Sequence, residues 1–132
     1  MSVFVDTSAV LAFLDAGDPF HARAREAWDR LLQEDEQLVT SSYALVETYA
    51  LVQSRLGMGA VQTVAEDIAP LLRVRWLDEG VHAVALASML AAARRKLSLV
   101  DCASFAVMHE LGLRRAFAFG KQFTERGFEL VA

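Results

Sequence analysis

The chain has one cysteine, Cys102, so no disulfide can close within it. A disulfide framework is thereby excluded, and a reducing compartment, the cytoplasm, is the expected setting. The first residues lack the basic start and the small-residue cleavage site of a secretory signal, which points the same way. No apolar stretch approaches the ~20 residues of a membrane span before a charge or turn residue interrupts it. Overall basicity is lacking too: a formal net charge of −4 excludes binding to nucleic acid through bulk charge alone. His21, His82 and His109 show no metal-ligand spacing with Cys102 and read as solvated or core histidines. There is no internal repeat, low-complexity tract or linker.

What is present is a chain of 132 residues, 55% hydrophobic and 23% charged, which suits one well-buried domain over residues 1–132. The charge is unevenly placed. From Arg94 to Lys121, six bases (Arg94, Arg95, Lys96, Arg114, Arg115, Lys121) face two acids (Asp101, Glu110), a local surplus of +4 suited either to phosphates or to a solvated helix end.

Strand and helix patterns alternate. Ser2–Val5 reads as a strand and Thr7–Asp15 as a helix with Val10, Leu11, Phe13 and Leu14 at helical spacing. Asp18 as N-cap with Pro19 at the first position starts a helix to about Gln33, with Phe20, Ala24, Ala27, Trp28 and Leu31 inward. Leu38–Ser41 is the second strand. A helix over Tyr43–Leu56 stops at Gly57, and another over Ala60–Leu72 is loosened in its last turn by Pro70. Arg73–Leu77 is the third strand, Asp78 caps a helix over Gly80–Lys96, and Ser98 caps one that Gly112 stops. Ala116–Phe119 and Phe128–Val131 complete the strands. This rhythm predicts an α/β fold with three layers, helices on both faces of a mainly parallel sheet of four to five strands. Sites in such sheets lie beyond the carboxyl ends of the strands.

Three carboxylates stand where a core is expected. Asp6 is the only charge in residues 1–14, directly after the first strand. Glu47 is the only charge between Glu36 and Arg55, and its helical neighbours Tyr43, Ala44, Ala50 and Leu51 place it on a buried face. Asp101 is the only charge from Leu97 to His109. A lone buried carboxylate costs several kcal/mol, so three of them call for cations, strong donors or a shared metal. Helix capping is the competing explanation for Asp6, and a Ser98–Asp101 capping box for Asp101. Glu47 stands a full turn inside its helix and has no such role. Hard divalent ions such as Mg²⁺ or Mn²⁺ take oxygen ligands of this kind, polarise a phosphodiester and activate water. Without a metal the acids would repel, and at least one would hold its proton more tightly.

These residues resemble the PIN domains, and among them the VapC-type toxin ribonucleases of prokaryotic toxin–antitoxin pairs. The resemblance spans the chain. It rests on Val-Phe-Val-Asp-Thr-Ser-Ala at 3–9, Ser-Tyr-Ala-Leu-Val-Glu-Thr at 42–48 and Leu-Ser-Leu-Val-Asp-Cys-Ala-Ser at 97–104. It implies a PIN-like fold in which Asp6, Glu47 and Asp101 hold Mg²⁺ or Mn²⁺ and cut RNA, with Ser8 as the hydroxyl beside the first acid. It also implies an antitoxin as protein partner. Arg94, Arg95 and Lys121 are the candidate phosphate contacts. The departure lies at Ala118 and Gly120, where the family commonly carries a hydroxyl residue and a fourth Asp. Glu125 is the nearest acid in the sequence to replace it, and a weakened nuclease serving as a binding module is the alternative reading. A phosphoaspartate enzyme using Asp6 with Thr40, Ser41 and Lys121 is a further one, disfavoured by Ser8 where a second Asp is usual. The Ala and Leu content of Tyr43–Leu56 and Val81–Ala93 suggests a homodimer face.

Overall fold

The computed structural model describes residues 1–132. Five strands, β1 (Ser2–Val5), β2 (Gln37–Ser41), β3 (Leu72–Arg75), β4 (Arg115–Phe117) and β5 (Glu129–Leu130), form one sheet in the order β3-β2-β1-β4-β5. Every neighbouring pair is parallel. The helices are α1 (Thr7–Leu14), α2 (His21–Gln33), α3 (Ser42–Leu56), α4 (Met58–Thr63), α5 (Glu79–Ala92), α6 (Leu99–Leu111) and α7 (Lys121–Glu125).

The central strand is buried on both sides, which is why it shows no polar alternation. Val3 and Val5 pack on one face against Ala9, Val10, Trp28 and Leu31 of α1 and α2, while Phe4 packs on the other against the α6 side with Met108 and Phe123. Phe117 and its neighbour Ala116 divide between the two faces in the same way. Helix α3 reaches both layers, with Ala44 in the second core and Val52 in the first. It therefore spans the carboxyl end of the sheet. No helix is long and apolar enough to cross a membrane.

Several boundaries differ from the sequence expectation, each for a local reason. Strand β3 ends at Arg75, whose partner Ser41 is the last residue of β2, so Trp76 and Leu77 have no strand to pair with. Strand β4 likewise stops at Phe117 opposite Val5, the end of β1. Asp18 does not cap α2: its carboxylate accepts the Phe20 N–H at 2.8 Å in a turn, and the helix begins at His21. Phe20 is not inward. It is 38% exposed and stacks on Phe119 with centroids 4.7 Å apart. Helix α5 stops at Ala92 because Ala93 turns left-handed at φ 49°. Following α4, Val64–Ile68 widens into π geometry and Ala69–Leu71 tightens into 3₁₀, a consequence of Pro70 offering no N–H to the helical ladder.

Candidate active site

The connections from β1 to β2 and β3 run to one side of the central strand, whereas β4 and β5 lie on the other. The direction reverses between β1 and β4, and the loops after these two strands part there to leave a crevice. The Asp6 N–H donates to the Phe117 carbonyl at 3.0 Å and fixes how the two loops diverge. Asp6 enters this crevice from the end of β1, Glu47 from the second turn of α3 and Asp101 from the first turn of α6. All three line one cleft of about 460 Å³.

The two aspartates serve as helix caps and still keep an oxygen for the cleft. Asp6 is the N-cap of α1, its Oδ2 accepting the Ser8 N–H at 3.1 Å and the Ser8 hydroxyl at 2.6 Å. Its Oδ1 takes no protein donor. Asp101 closes a capping box: its N–H donates to Ser98 Oγ at 3.0 Å and its Oδ2 accepts the Ser98 N–H at 3.1 Å. The Asp101 Oδ1 accepts only the Gln122 Nε2–H, at 3.2 Å. Capping thus explains why these residues sit where they do, and leaves the charge of each uncompensated. None of the five ion pairs in the protein involves Asp6, Glu47 or Asp101.

Ser8 also accepts the Phe119 N–H at 3.0 Å, so one hydroxyl joins Asp6 to the loop after β4. Thr7 turns the other way, donating to the Ala44 carbonyl at 3.0 Å and touching Thr48 Oγ1 at 3.0 Å, which fastens α1 to α3 below Glu47.

Burial drives the electrostatics. Asp6 is 5% exposed and its carboxyl is pushed up to about 6; loss of water is the main cause, Ser8 partly offsets it, and the charges of Asp101 and Glu47 add to it. Glu47 is raised as well, first by desolvation and then by Asp101. The Thr7 hydroxyl partly offsets the desolvation, by more than the Asp101 charge adds to it. The side chain of Glu47 is only half-buried, at the cleft mouth, rather than enclosed along a buried helix face. No three acidic, histidine or cysteine side chains are drawn together as a ready-made metal cluster. An all-oxygen donor set with unrelieved negative charge nevertheless fits a hard divalent ion that keeps part of its water.

The basic residues of the cleft are Arg55 and Lys96. Arg94 is turned toward Glu125 at 3.1 Å, and Arg95 and Lys121 are exposed outside the cleft lining. Glu125 therefore does not supply a fourth acid. Gln122 occupies that neighbourhood instead: a Cβ on Gly120 would lie 2.1 Å from Gln122 Oε1 and 2.4 Å from its Nε2. Sequence reasoning passed over Arg55 and Gln122. Arg55 was legible, since Glu47, Leu51 and Arg55 recur at four-residue spacing and all line the cleft. Gln122 carried no such signal.

Comparison with known proteins agrees with this architecture. The PIN domain family model matches residues 3–129. The chain is 33% identical over 127 residues to the 23S rRNA-specific endonuclease VapC20 of Mycobacterium tuberculosis, covering 96% of this chain and 95% of that protein. It is 37% identical to Ribonuclease VapC26 of the same organism over 67 residues, 51% of this chain and 47% of the relative. The crystal structure of Mycobacterium tuberculosis VapC20, described as a sarcin–ricin loop cleaving toxin, superimposes with a TM-score of 0.83 at 32% identity over 96% of both chains. FitAcB from Neisseria gonorrhoeae, at 16% identity and a TM-score of 0.70 over 97% of this chain and 95% of its own, shares the fold.

Proposed function

The chain belongs to the PIN domain family, among its VapC-type toxin ribonucleases, and from that premise we propose that it is a divalent-metal-dependent endoribonuclease, the toxin of a toxin–antitoxin pair. The observation that carries this reading is the meeting of Asp6, Glu47 and Asp101 in one cleft, none of them in an ion pair with a cation of the protein. These three residues would hold Mg²⁺ or Mn²⁺, which supplies charge stabilisation at a scissile phosphodiester. Ser8 orients Asp6 by its 2.6 Å bond and keeps the free Oδ1 aimed into the cleft. Arg55 and Lys96 neutralise phosphates on either side of the cut, with Arg94, Arg95 and Lys121 extending the basic surface along the strand.

Structured RNA of the sarcin–ricin type is the substrate class to which the relative VapC20 directs attention. An antitoxin polypeptide is the protein partner, and a second copy of the chain the other. Val46, Trp76, Val84 and Leu90 are each more than 60% exposed and supply apolar surface for such contacts. The cytoplasm is the proposed compartment.

The replacement of a fourth acid by Gly120 favours one second reading, a PIN-fold binding module with little cutting power. Phosphoaspartate chemistry has less support: Thr40 donates to the Val5 carbonyl, Ser41 is fully buried as the cap of α3, and neither lines the cleft.

The test is incubation of the protein with a sarcin–ricin loop RNA oligonucleotide and Mn²⁺ or Mg²⁺. Cleavage that chelation stops, and that Asp6→Asn lowers by more than about a hundredfold, is expected, because loss of even an outer partner of a metal costs about 10–100-fold. Binding without cleavage of any RNA supplied would select the binding-module reading.

A further inference from the structure

Gly120 precedes α7 with φ −88° and ψ 130°, backbone angles open to any residue. Conformation therefore does not demand a glycine there. What an added side chain would disturb is Gln122: a Cβ would stand 2.1–2.5 Å from three atoms of its carboxamide, the far end of a flexible side chain, which would have to swing away. That carboxamide lies back across Gly120 and donates to Asp101 Oδ1 at 3.2 Å, the only protein donor that oxygen has. Both residues line the cleft. We infer that Gly120 and Gln122 form one functional unit, in which the missing Cβ admits the Gln122 carboxamide as a neutral positioning group for Asp101.

The chemistry follows from the carboxamide itself. Its Nε2–H restrains Asp101 without adding a fourth negative charge to a cleft where three already repel. The same group offers a neutral oxygen, Oε1, on its other arm, a weaker ligand for a hard cation than a carboxylate. The cleft thereby keeps its three carboxylates, and no fourth, for a divalent ion. In this it rests on the metal-dependent reading proposed above, whereas the steric coupling of residues 120 and 122 stands without it.

The experiment is a double-mutant cycle with two readouts on the full chain. Mn²⁺ affinity is measured by calorimetry for the wild type, Gly120→Ala, Gln122→Ala and the double variant, and the side-chain amide signal of Gln122 is followed by ¹⁵N NMR in the metal-free protein. Gly120→Ala and Gln122→Ala are each expected to weaken Mn²⁺ binding about tenfold, as for other groups that orient a metal ligand, and the double variant no more than either. The Gln122 amide signal is expected to move to the position of a free glutamine in both Gly120→Ala and Asp101→Ala. Single variants that bind Mn²⁺ as the wild type does, or losses that multiply in the double variant, would overturn the inference while leaving the nuclease reading in place. If the wild type binds no Mn²⁺, the metal reading fails and the NMR arm alone decides: an amide signal indifferent to both substitutions overturns the unit, and a coupled shift upholds it.

Discussion

The protein buries carboxylates at both ends of its sheet, and treats them in opposite ways. At the amino end Glu36 is nearly enclosed, its side chain 9% exposed, and it is met by Arg115 at 2.9 Å and by the N-terminal ammonium at 3.8 Å. At the carboxyl end Asp6 and Asp101 are comparably buried, yet their partners are a hydroxyl, backbone amides and a carboxamide. Buried charge is expensive in either place. One end neutralises it within the chain, and the other leaves it without an ion-pair partner. Parallel strands explain where that difference falls, because the loops that open a crevice all leave from the carboxyl ends.

If that contrast is real, removing charge should have opposite effects on stability at the two ends. Arg115→Ala strands Glu36 and is expected to destabilise the protein by about 2–3 kcal/mol, less than a fully buried pair because Arg115 is partly exposed. Asp6→Asn removes an uncompensated charge and is expected to stabilise the metal-free protein at pH 7 by about 1–3 kcal/mol. Denaturant melts of both variants measure this, and a shared sign would break the comparison.

Titration sharpens the same point. The folded protein holds the Asp6 proton up to about 6 against 3.8 for the free side chain, so it binds that proton more tightly than the unfolded chain does. The contribution of Asp6 to the stability of the metal-free protein is therefore full below about pH 4, falls as pH rises to about 6, and levels off above, by up to about 3 kcal/mol. Glu47 acts in the same direction. Thermal melts across this range in chelator should show the fall, Asp6→Asn should flatten it, and Mn²⁺ added above pH 6 should reverse it.

The smallest expected effect concerns Arg55 and Lys96. Each alanine variant should weaken RNA binding a few-fold and lower the slope of log affinity against log salt by about one, read in filter-binding titrations. An unchanged slope would remove both from the phosphate path.

The fold was legible because its strongest signals are local. Val3, Phe4 and Val5 are apolar without alternation, which demands cover on both faces, and Ser98, Asp78 and Gly112 mark helix ends that the structure shows as caps. Strand ends were less legible, since Trp76 and Phe119 are excluded by the lengths of neighbouring strands and not by their own propensity. Asp6 and Asp101 stood out as lone charges in apolar windows, and the structure places Glu47 in the same cleft, although more exposed than its neighbours suggested. Gln122 had no such contrast. It is one of four polar residues in a five-residue helix, and its part at Asp101 depends on a space that only the folded loop reveals.

The most direct measurement is calorimetric titration of Mn²⁺ into the wild type, Asp6→Asn and Glu36→Gln at pH 7. One ion is expected on the wild type and on Glu36→Gln, with binding lost in Asp6→Asn. Mn²⁺ bound equally by wild type and Asp6→Asn, or by neither, would contradict the claim that the carboxyl-end acids are left open for a metal.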